Sequence, residues 1–132
     1  MEEPVIHRDE VTVIKTLKDT IQKFVAERQW EKFHNPKDLA ISISIEAAEL
    51  LENFQWTSFE ESRRGTPDPK QDENISEELA DVIIYSFLLG ISLDLDITTA
   101  VLSKMEKNAS KYPAAEFQGV FRRPQSIQDD ER

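Results

Sequence analysis

The chain has 132 residues, no cysteine and a formal net charge of -10 at neutral pH. Its length fits one domain, so we expect a single domain over residues 1–132. The lack of cysteine excludes disulfides, thiolate metal sites and a cysteine nucleophile, and it suits a reducing, cytoplasmic setting. The negative charge argues against a nucleic-acid partner, because binding to a phosphate backbone needs a basic surface.

The N-terminus and the apolar segments give no sign of targeting to a membrane. The first ten residues, MEEPVIHRDE, lack the basic start and apolar stretch of a signal peptide. The longest apolar run, residues 79–95, contains two aspartates and two serines and is too short for a membrane span. We therefore expect neither a signal peptide nor a membrane partner.

Repeated 3.6-residue apolar periods predict an all-α fold, a four-helix bundle-like subunit. The first helix is expected over about residues 9–30, with a continuous apolar stripe on one side. Asn35, followed by proline, is typical of an N-cap and opens the second helix, about 36–56. Residues 57–73 are polar, with one glycine and two prolines, and predict a mobile loop.

The third helix is expected over about residues 74–93, because Asn74 and Glu77 resemble a capping box. From Leu79 onward its apolar side chains cover nearly the whole circumference. One layer of neighbouring helices in so small a domain does not bury such a helix, so we expect part of it to face another subunit.

The fourth helix is expected over residues 97–112, with Asp96 as its cap and a proline at its end. The ordered core is then about residues 9–113. Residues from 114 onward are expected to be extended, and the end of the chain, about 120–132, to be disordered.

Two pairs of carboxylates stand in the most apolar parts of the chain. Glu46 and Glu49 lie in the stretch 39–51, and Glu78 and Asp81 lie at the start of the apolar third helix. Residues three apart project side by side from a helix, so two facing helices would bring four carboxylates together.

Buried carboxylates are costly unless they are protonated, paired with cations or bound to metal. A site made of carboxylates without histidine or cysteine suits Mg²⁺ or Mn²⁺ rather than zinc or copper. The alternative is that the acids are simply solvated, as we expect for Glu60, Glu61 and Glu77. In a chain with 26 acidic residues, some pairs at this spacing arise by chance.

The fourth helix carries polar groups close to its apolar stripe. Lys104, Asn108 and Lys111 are four and three residues apart, so they share one side of the helix. Such a ladder suits phosphate oxygens. The simpler alternative is that Lys104 lies at the edge of the stripe and pairs with a neighbouring acid. Metal-binding carboxylates together with a small basic ladder predict a phosphate-ester site.

Three segments of the chain resemble one known family. SIEAAELLENFQW, ISEELADVIIYSFLL and VLSKMEKNASKYP are similar to the MazG-type all-α nucleotide pyrophosphohydrolases, whose signature is ExxE followed by ExxD. The resemblance covers about residues 17–113. It is strongest to the dCTP pyrophosphatase branch, over FVAERQWEKFHNPKDLAISISIEAAELLENFQW.

The resemblance implies a Mg²⁺-dependent enzyme, with Mn²⁺ as an alternative ion, that cleaves a nucleoside triphosphate to the monophosphate and pyrophosphate. It also implies a site assembled from paired subunits, in a homodimer or a homotetramer. The metal ligands would be Glu46, Glu49, Glu78 and Asp81, with Glu49 as the catalytic base. The phosphate contacts would be Lys104, Asn108 and Lys111, and the base-binding residues would be Trp30, His34, Trp56 and Tyr85.

The sequence leaves three hypotheses about the function open. The first is hydrolysis of dCTP or a modified dCTP. The second is a relative specialised for dUTP or damaged nucleotides, since one amino or methyl group shifts selectivity by only about 1–3 kcal/mol. The third is a non-enzymatic, acidic helical interaction module, which predicts no metal dependence and no use for Lys104 and Asn108.

Overall fold

The computed structural model describes residues 6–65 and 68–120. Within these ranges every regular element is helical, so the predicted all-α fold is confirmed. The predicted disordered end of the chain falls, apart from its first residue, outside the described residues. The elements are α1 (Ile14–Glu27), a 3₁₀ turn (Glu31–Phe33), α2 (Pro36–Glu52), α3 (Phe59–Arg63), α4 (Pro69–Ser92), α5 (Ile97–Lys111) and α6 (Ala114–Phe117).

Contacts along the chain separate two compact units, residues 1–97 and residues 98–132. The first unit contains α1 to α4, and the second contains most of α5 and all of α6. The expectation of one domain stays a prediction.

Helix α1 is shorter than predicted at both ends. It begins at Ile14 because Val13 is extended and offers no side-chain cap. It ends at Glu27 because Gln29 adopts a left-handed conformation, with φ of 53°. The Trp30 N–H then donates to the Val25 carbonyl at 3.1 Å, which closes the helix and turns the chain back.

The predicted start of α2 is confirmed and its predicted end is wrong. The Asn35 side chain accepts a hydrogen bond from the Asp38 N–H at 3.0 Å, and Pro36 occupies the first turn. The helix ends at Glu52 rather than at Trp56. Residues 53–56 continue as turns, with backbone hydrogen bonds between residues three apart.

The stretch predicted as a loop, 57–73, is partly helical. The short helix α3 has a capping box, in which Ser58 and Glu61 exchange hydrogen bonds. Helix α4 begins at Pro69 with Asp68 as N-cap, so the predicted start at Asn74 is wrong. The physical reason is that Asp68 caps the helix with its side chain and proline follows it, just as Asn35 and proline do at the start of α2.

In the first unit, α2 packs chiefly on α4, and α1 packs on α4 as well. Val25, Leu39 and Leu88 form the buried core, one from each of these helices. Among the apolar residues of α4, Leu79 and Ile83 are 47% and 44% exposed. The predicted all-round apolar helix is therefore covered on only part of its circumference within this chain.

One hydrogen bond joins the end of α2 to the beginning of α4. Gln71 Nε2 donates to the Asn53 carbonyl at 2.7 Å. The two helices therefore run antiparallel. Glu46 precedes Asn53 by seven residues, and Glu78 follows Gln71 by seven residues. Because seven residues make nearly two helical turns, each glutamate lies on the same helix face as the residue in the hydrogen bond. Glu46 and Glu78 therefore face each other across the two helices.

In the second unit, α5 matches the predicted fourth helix to within one residue at its end. The expected extended segment after Pro113 is instead the short helix α6. Its Phe117 ring packs edge-on against Tyr112, with centroids 5.2 Å apart. No single helix among the described residues is long and apolar enough to cross a membrane, and only α4 and α5 counted together meet the length and composition of a span.

Candidate active site

Three carboxylates converge between α2 and α4. Glu46, Glu49 and Glu78 each offer one oxygen, and these oxygens all lie within 4.8 Å of one another. All three side chains are half-buried. The convergence follows from the antiparallel packing of the helices, because Glu46 and Glu49 share a face of α2 and Glu78 stands opposite Glu46.

One oxygen of the Glu78 carboxylate lacks a partner within the described part of the chain. Its Oε2 atom is buried and has no hydrogen-bond partner among the described residues. A buried carboxylate oxygen without a donor is costly, so the group needs a proton or a cation beside it. The unpaired oxygen, together with a donor set made only of carboxylates, fits a hard divalent cation such as Mg²⁺ or Mn²⁺.

The electrostatics of the cluster point the same way. Burial raises the pKa of Glu46 to about 7, assisted by a hydrogen bond with Glu49 and by the negative charges of Glu49, Asp81 and Glu78. Burial also raises the pKa of Glu78, assisted by the charge and hydrogen bonding of Glu49 and by the charge of Asp81, while a hydrogen bond with Glu46 acts in the opposite direction. The cluster therefore concentrates negative charge in a partly desolvated position, which a cation would relieve.

Asp81 lies beside the cluster, and its role as a metal ligand stays a prediction. Its charge acts on Glu46 and Glu78, but its carboxylate is not among the three that converge. It lines a neighbouring cavity of about 340 Å³. The cluster and the cavity therefore meet at Asp81. The cavity is lined by Thr20, Ile21, Phe24, Val25, Trp30, His34, Asp81, Ile84, Tyr85 and Leu88.

Aromatic rings form one wall of this cavity. The rings of Phe24 and Trp30 meet edge to face, with centroids 5.7 Å apart and planes at 76°. His34 and Tyr85 complete the wall. The structure thus brings together three of the four predicted base-binding residues. The fourth, Trp56, is 90% exposed and does not line the cavity.

A model of the MazG-like family matches residues 41–123. The chain belongs to the MazG-like family. Its resemblance to the dCTP pyrophosphatase branch is also confirmed by relatives from mammals. dCTP pyrophosphatase 1 of Rattus norvegicus is 42% identical over 91 residues, or 69% of this chain and 54% of that protein. The human protein of the same name is 41% identical over 92 residues, or 70% of this chain and 54% of that protein.

The chain spans about half the length of the curated relatives it matches. It is also similar to a solved structure, a pyrophosphatase from Archaeoglobus fulgidus. That similarity has a TM-score of 0.70 and 41% identity, and it covers 84% of this chain and 99% of the other.

The predicted phosphate-binding residues of this MazG-like chain lie on α5. Lys104 and Lys111 are exposed, and Asn108 is half-buried. The Asn108 carbonyl accepts a hydrogen bond from the Tyr112 N–H at 2.8 Å, and Lys111 Nζ lies 5.4 Å from the centroid of the Tyr112 ring. Except for the first residue of α5, this helix belongs to the second unit, so the phosphate role of these residues stays a prediction.

Sequence reasoning missed several residues of the cavity. Phe24 and Ile21 fall in the apolar stripe of α1, which predicts ordinary core. Phe24 is 47% exposed, and its ring faces the cavity rather than a packed interior. The sequence spacing of Phe24 and Trp30 does not predict that their rings meet, because the left-handed Gln29 turns the chain back between the two residues.

Proposed function

We propose that this MazG-like chain hydrolyses a nucleoside triphosphate to the monophosphate and pyrophosphate, in the cytoplasm, with dCTP or a 5-substituted dCTP as the foremost substrate. The observation that carries the proposal is the place of Asp81, which lines the aromatic cavity and acts electrostatically on the carboxylate cluster. A cation-binding cluster beside a cavity for a flat ring suits a nucleotide. The relatives named dCTP pyrophosphatase 1 support the choice of substrate.

In this proposal Mg²⁺, or Mn²⁺ in its place, is held by Glu46, Glu49 and Glu78, with Asp81 beside them. When bound, the ion would neutralise phosphate charge and polarise the phosphorus. The convergence of the three oxygens supports this assignment, as does the unpaired Oε2 of Glu78. Solvated acids that merely keep a helical module soluble have no reason to converge in a half-buried position.

Glu49 is proposed as the general base. It contacts both other members of the cluster, through a hydrogen bond with Glu46 and through charge and hydrogen bonding with Glu78. It would accept a proton from the attacking water. A new bond would form from the water oxygen to the α-phosphorus, and the bond from that phosphorus to the bridging oxygen would break. Pyrophosphate would leave.

The base is proposed to occupy the aromatic cavity, against Trp30, His34 and Tyr85. Stacking of a base on an aromatic side chain contributes about 1–3 kcal/mol. A pocket that accepts hydrogen bonds from the cytosine amino group would disfavour purines by size and uridine by an unpaired polar group. On α5, Lys104, Asn108 and Lys111 are proposed to contact the phosphates.

The working form is proposed to be a homodimer or a homotetramer. On α4, Leu79 and Ile83 are nearly half exposed, and on α2, Ile41 and Ile45 are 47% and 51% exposed. Exposed apolar side chains four residues apart form a stripe on one helix face, which suits burial against a second copy of this chain. Trp56 is 90% exposed and does not line the cavity of its own chain. It is proposed to contribute to the base pocket of the partner subunit.

A panel of nucleoside triphosphates with Mg²⁺, scored for pyrophosphate and monophosphate, tests the activity. We expect dCTP to be the best natural substrate. Glu49→Gln should lower kcat at least a hundred-fold, and Trp56→Ala should mainly raise KM. Glu77→Gln, on the exposed side of α4 beside Glu78, is the matched control and should keep activity.

Two outcomes would contradict different parts of the proposal. If dUTP or a purine triphosphate were turned over ten-fold better than dCTP, the substrate assignment would be wrong while pyrophosphate release stood. If orthophosphate were the first product, attack at the α-phosphorus would be wrong.

A further inference from the structure

A cation lies on the aromatic wall of the cavity. The Arg28 Cζ atom is 3.7 Å from the centroid of the Phe24 ring and 5.9 Å from that of the Trp30 ring. Arg28 Nη1 also donates a hydrogen bond to the Phe24 carbonyl at 3.0 Å. The guanidinium therefore contacts the ring of Phe24 and the backbone of the same residue, and that ring packs edge to face with Trp30.

The backbone brings these three side chains together at the end of α1. Arg28 closes the helix, and Gln29 adopts a φ of 53°. The Trp30 N–H then reaches the Val25 carbonyl, and the Gln29 N–H reaches the Ala26 carbonyl at 3.0 Å. A left-handed residue other than glycine is strained, and such strain persists only where the surroundings hold it.

The indole of Trp30 needs support from its neighbours. It follows the helix, it is 44% exposed, and its aromatic contact is with Phe24, which is itself 47% exposed. Two rings that are half open to solvent have few packing contacts to fix their rotamers. A guanidinium stacked on one face of Phe24 restricts that ring, and through it the indole.

We propose that Arg28 is a positioning residue, whose guanidinium holds the Phe24 ring and thereby sets the orientation of Trp30 in the cavity wall. The effect of Arg28 on substrate binding rests on the proposed function, in which the nucleotide base lies against Trp30. The effect of Arg28 on the orientation of Trp30 does not depend on any substrate.

A purely structural role for Arg28 makes a different prediction. Arg28 Nη1 lies 3.9 Å from a carboxylate oxygen of Glu27, but the two side chains are 41% and 59% exposed, so the pair is open to solvent. Exposed ion pairs contribute little to stability. If Arg28 only closed the helix, its removal would lower the melting temperature without changing the environment of Trp30 or the KM of the enzyme.

Fluorescence of Trp30 tests the positioning directly. The chain has two tryptophans, so Trp56→Phe leaves Trp30 as the sole emitter. In this background Arg28→Met should raise the acrylamide quenching constant of Trp30 about two-fold, and Arg28→Lys should keep it near the parent value, because a cation over the ring is retained. The matched control is Lys32→Met, since Lys32 Nζ lies 5.2 Å from the centroid of the Phe33 ring, which does not line the cavity.

An unchanged quenching constant in Arg28→Met, or a change no larger than that of Lys32→Met, would overturn the proposal. Should Arg28→Met fail to fold, Arg28→Gln, which also removes the cation, and Phe24→Leu decide the question. Arg28→Gln alone should raise Trp30 quenching, and with the Phe24 ring removed it should raise it no further. An additional change there would show that Arg28 acts on Trp30 by another route.

Kinetics on the chain with both tryptophans link the positioning to the substrate. Arg28→Met should raise the KM for dCTP about five-fold and leave kcat within two-fold, since a misplaced stacking wall weakens ground state and transition state alike. Lys32→Met should change neither. Equal effects of the two variants on KM would overturn the link. If the wild-type chain released no pyrophosphate from any triphosphate, the proposed function would fail, while the quenching result would still decide the role of Arg28.

Discussion

Binding of a divalent cation should depend steeply on pH between 6 and 8. The pKa of Glu46 is raised to about 7, first by burial and then by Glu49 and the neighbouring charges. A carboxyl with that pKa is roughly nine-tenths protonated at pH 6, half at pH 7 and one-tenth at pH 8. Because a carboxylate must be deprotonated to bind a metal, the apparent affinity for Mg²⁺ should be about ten-fold weaker at pH 6 than at pH 8.

The same shift sets the pH dependence of stability without metal. The pKa of Glu46 rises from 4.5 to about 7, so between these values the folded state holds more protons than the unfolded state. The free energy of unfolding of the metal-free protein should therefore fall as the pH rises through this window. If Mg²⁺ binds as proposed, saturating Mg²⁺ should oppose that fall, because a ligand that binds only the folded form stabilises it.

Titration calorimetry with Mg²⁺ alone, in two buffers of different ionisation enthalpy, measures both affinity and proton release. At pH 7 we expect roughly half a proton to be released from Glu46. Glu46→Gln should remove most of this release, and Glu77→Gln, on the exposed side of α4, should leave it unchanged. The reasoning is refuted if affinity is the same from pH 6 to pH 8, or if wild type and Glu46→Gln release equal numbers of protons.

Further variants test the packing that supports the site. Gln71→Met removes the donor to the Asn53 carbonyl and should lower both the unfolding free energy, by about 1 kcal/mol, and the affinity for Mg²⁺ in calorimetry. Asp68→Ala removes the N-cap of α4, so it should lower the unfolding free energy by about 1 kcal/mol and leave the affinity for Mg²⁺ unchanged. If Asp68→Ala and Gln71→Met changed the affinity equally, this prediction would be wrong. Leu39→Ala, at a side chain only 2% exposed, should cost about 2–4 kcal/mol in urea unfolding, and a loss below about 1 kcal/mol would show that this core is not tightly packed. Gln29→Gly should raise stability by about 0.5–1 kcal/mol, because glycine relieves the left-handed strain; a lower melting temperature would refute this.

Helix starts were predictable where the signal is local. At the head of α2, Asn35 caps the helix with its own side chain and proline sets the first backbone angle. Both effects act within four residues, so the sequence is sufficient to locate them. The head of α4 carries the same type of signal in Asp68 and its proline, but it lies in a polar stretch without apolar periodicity, and the prediction missed it.

Helix ends were less predictable. The end of α1 depends on Gln29 in a left-handed conformation, which glycine adopts readily and glutamine rarely does. That conformation is held by contacts of the residues that follow, since Trp30 bonds back to Val25 and packs on Phe24. No short-range pattern marks such an end.

The sequence by itself determined the chemistry of the site. Spacings of three residues put Glu46 beside Glu49 and Glu78 beside Asp81, because such residues share a helix face. Neither stretch contains cysteine or histidine, so the donors that they offer are oxygen atoms. These are properties of one helix at a time, and a single helix has a known geometry. The family was recognisable from the same segments.

Only the tertiary structure decided which of these groups meet. The antiparallel register of α2 on α4, with Gln71 bonded to Asn53, joins Glu78 to the pair on α2 and leaves Asp81 in the wall of the cavity. Register depends on contacts between residues far apart in the chain, so the spacing within either helix does not contain it. The family resemblance assigned Trp56 to the base pocket, whereas in its own chain Trp56 is exposed.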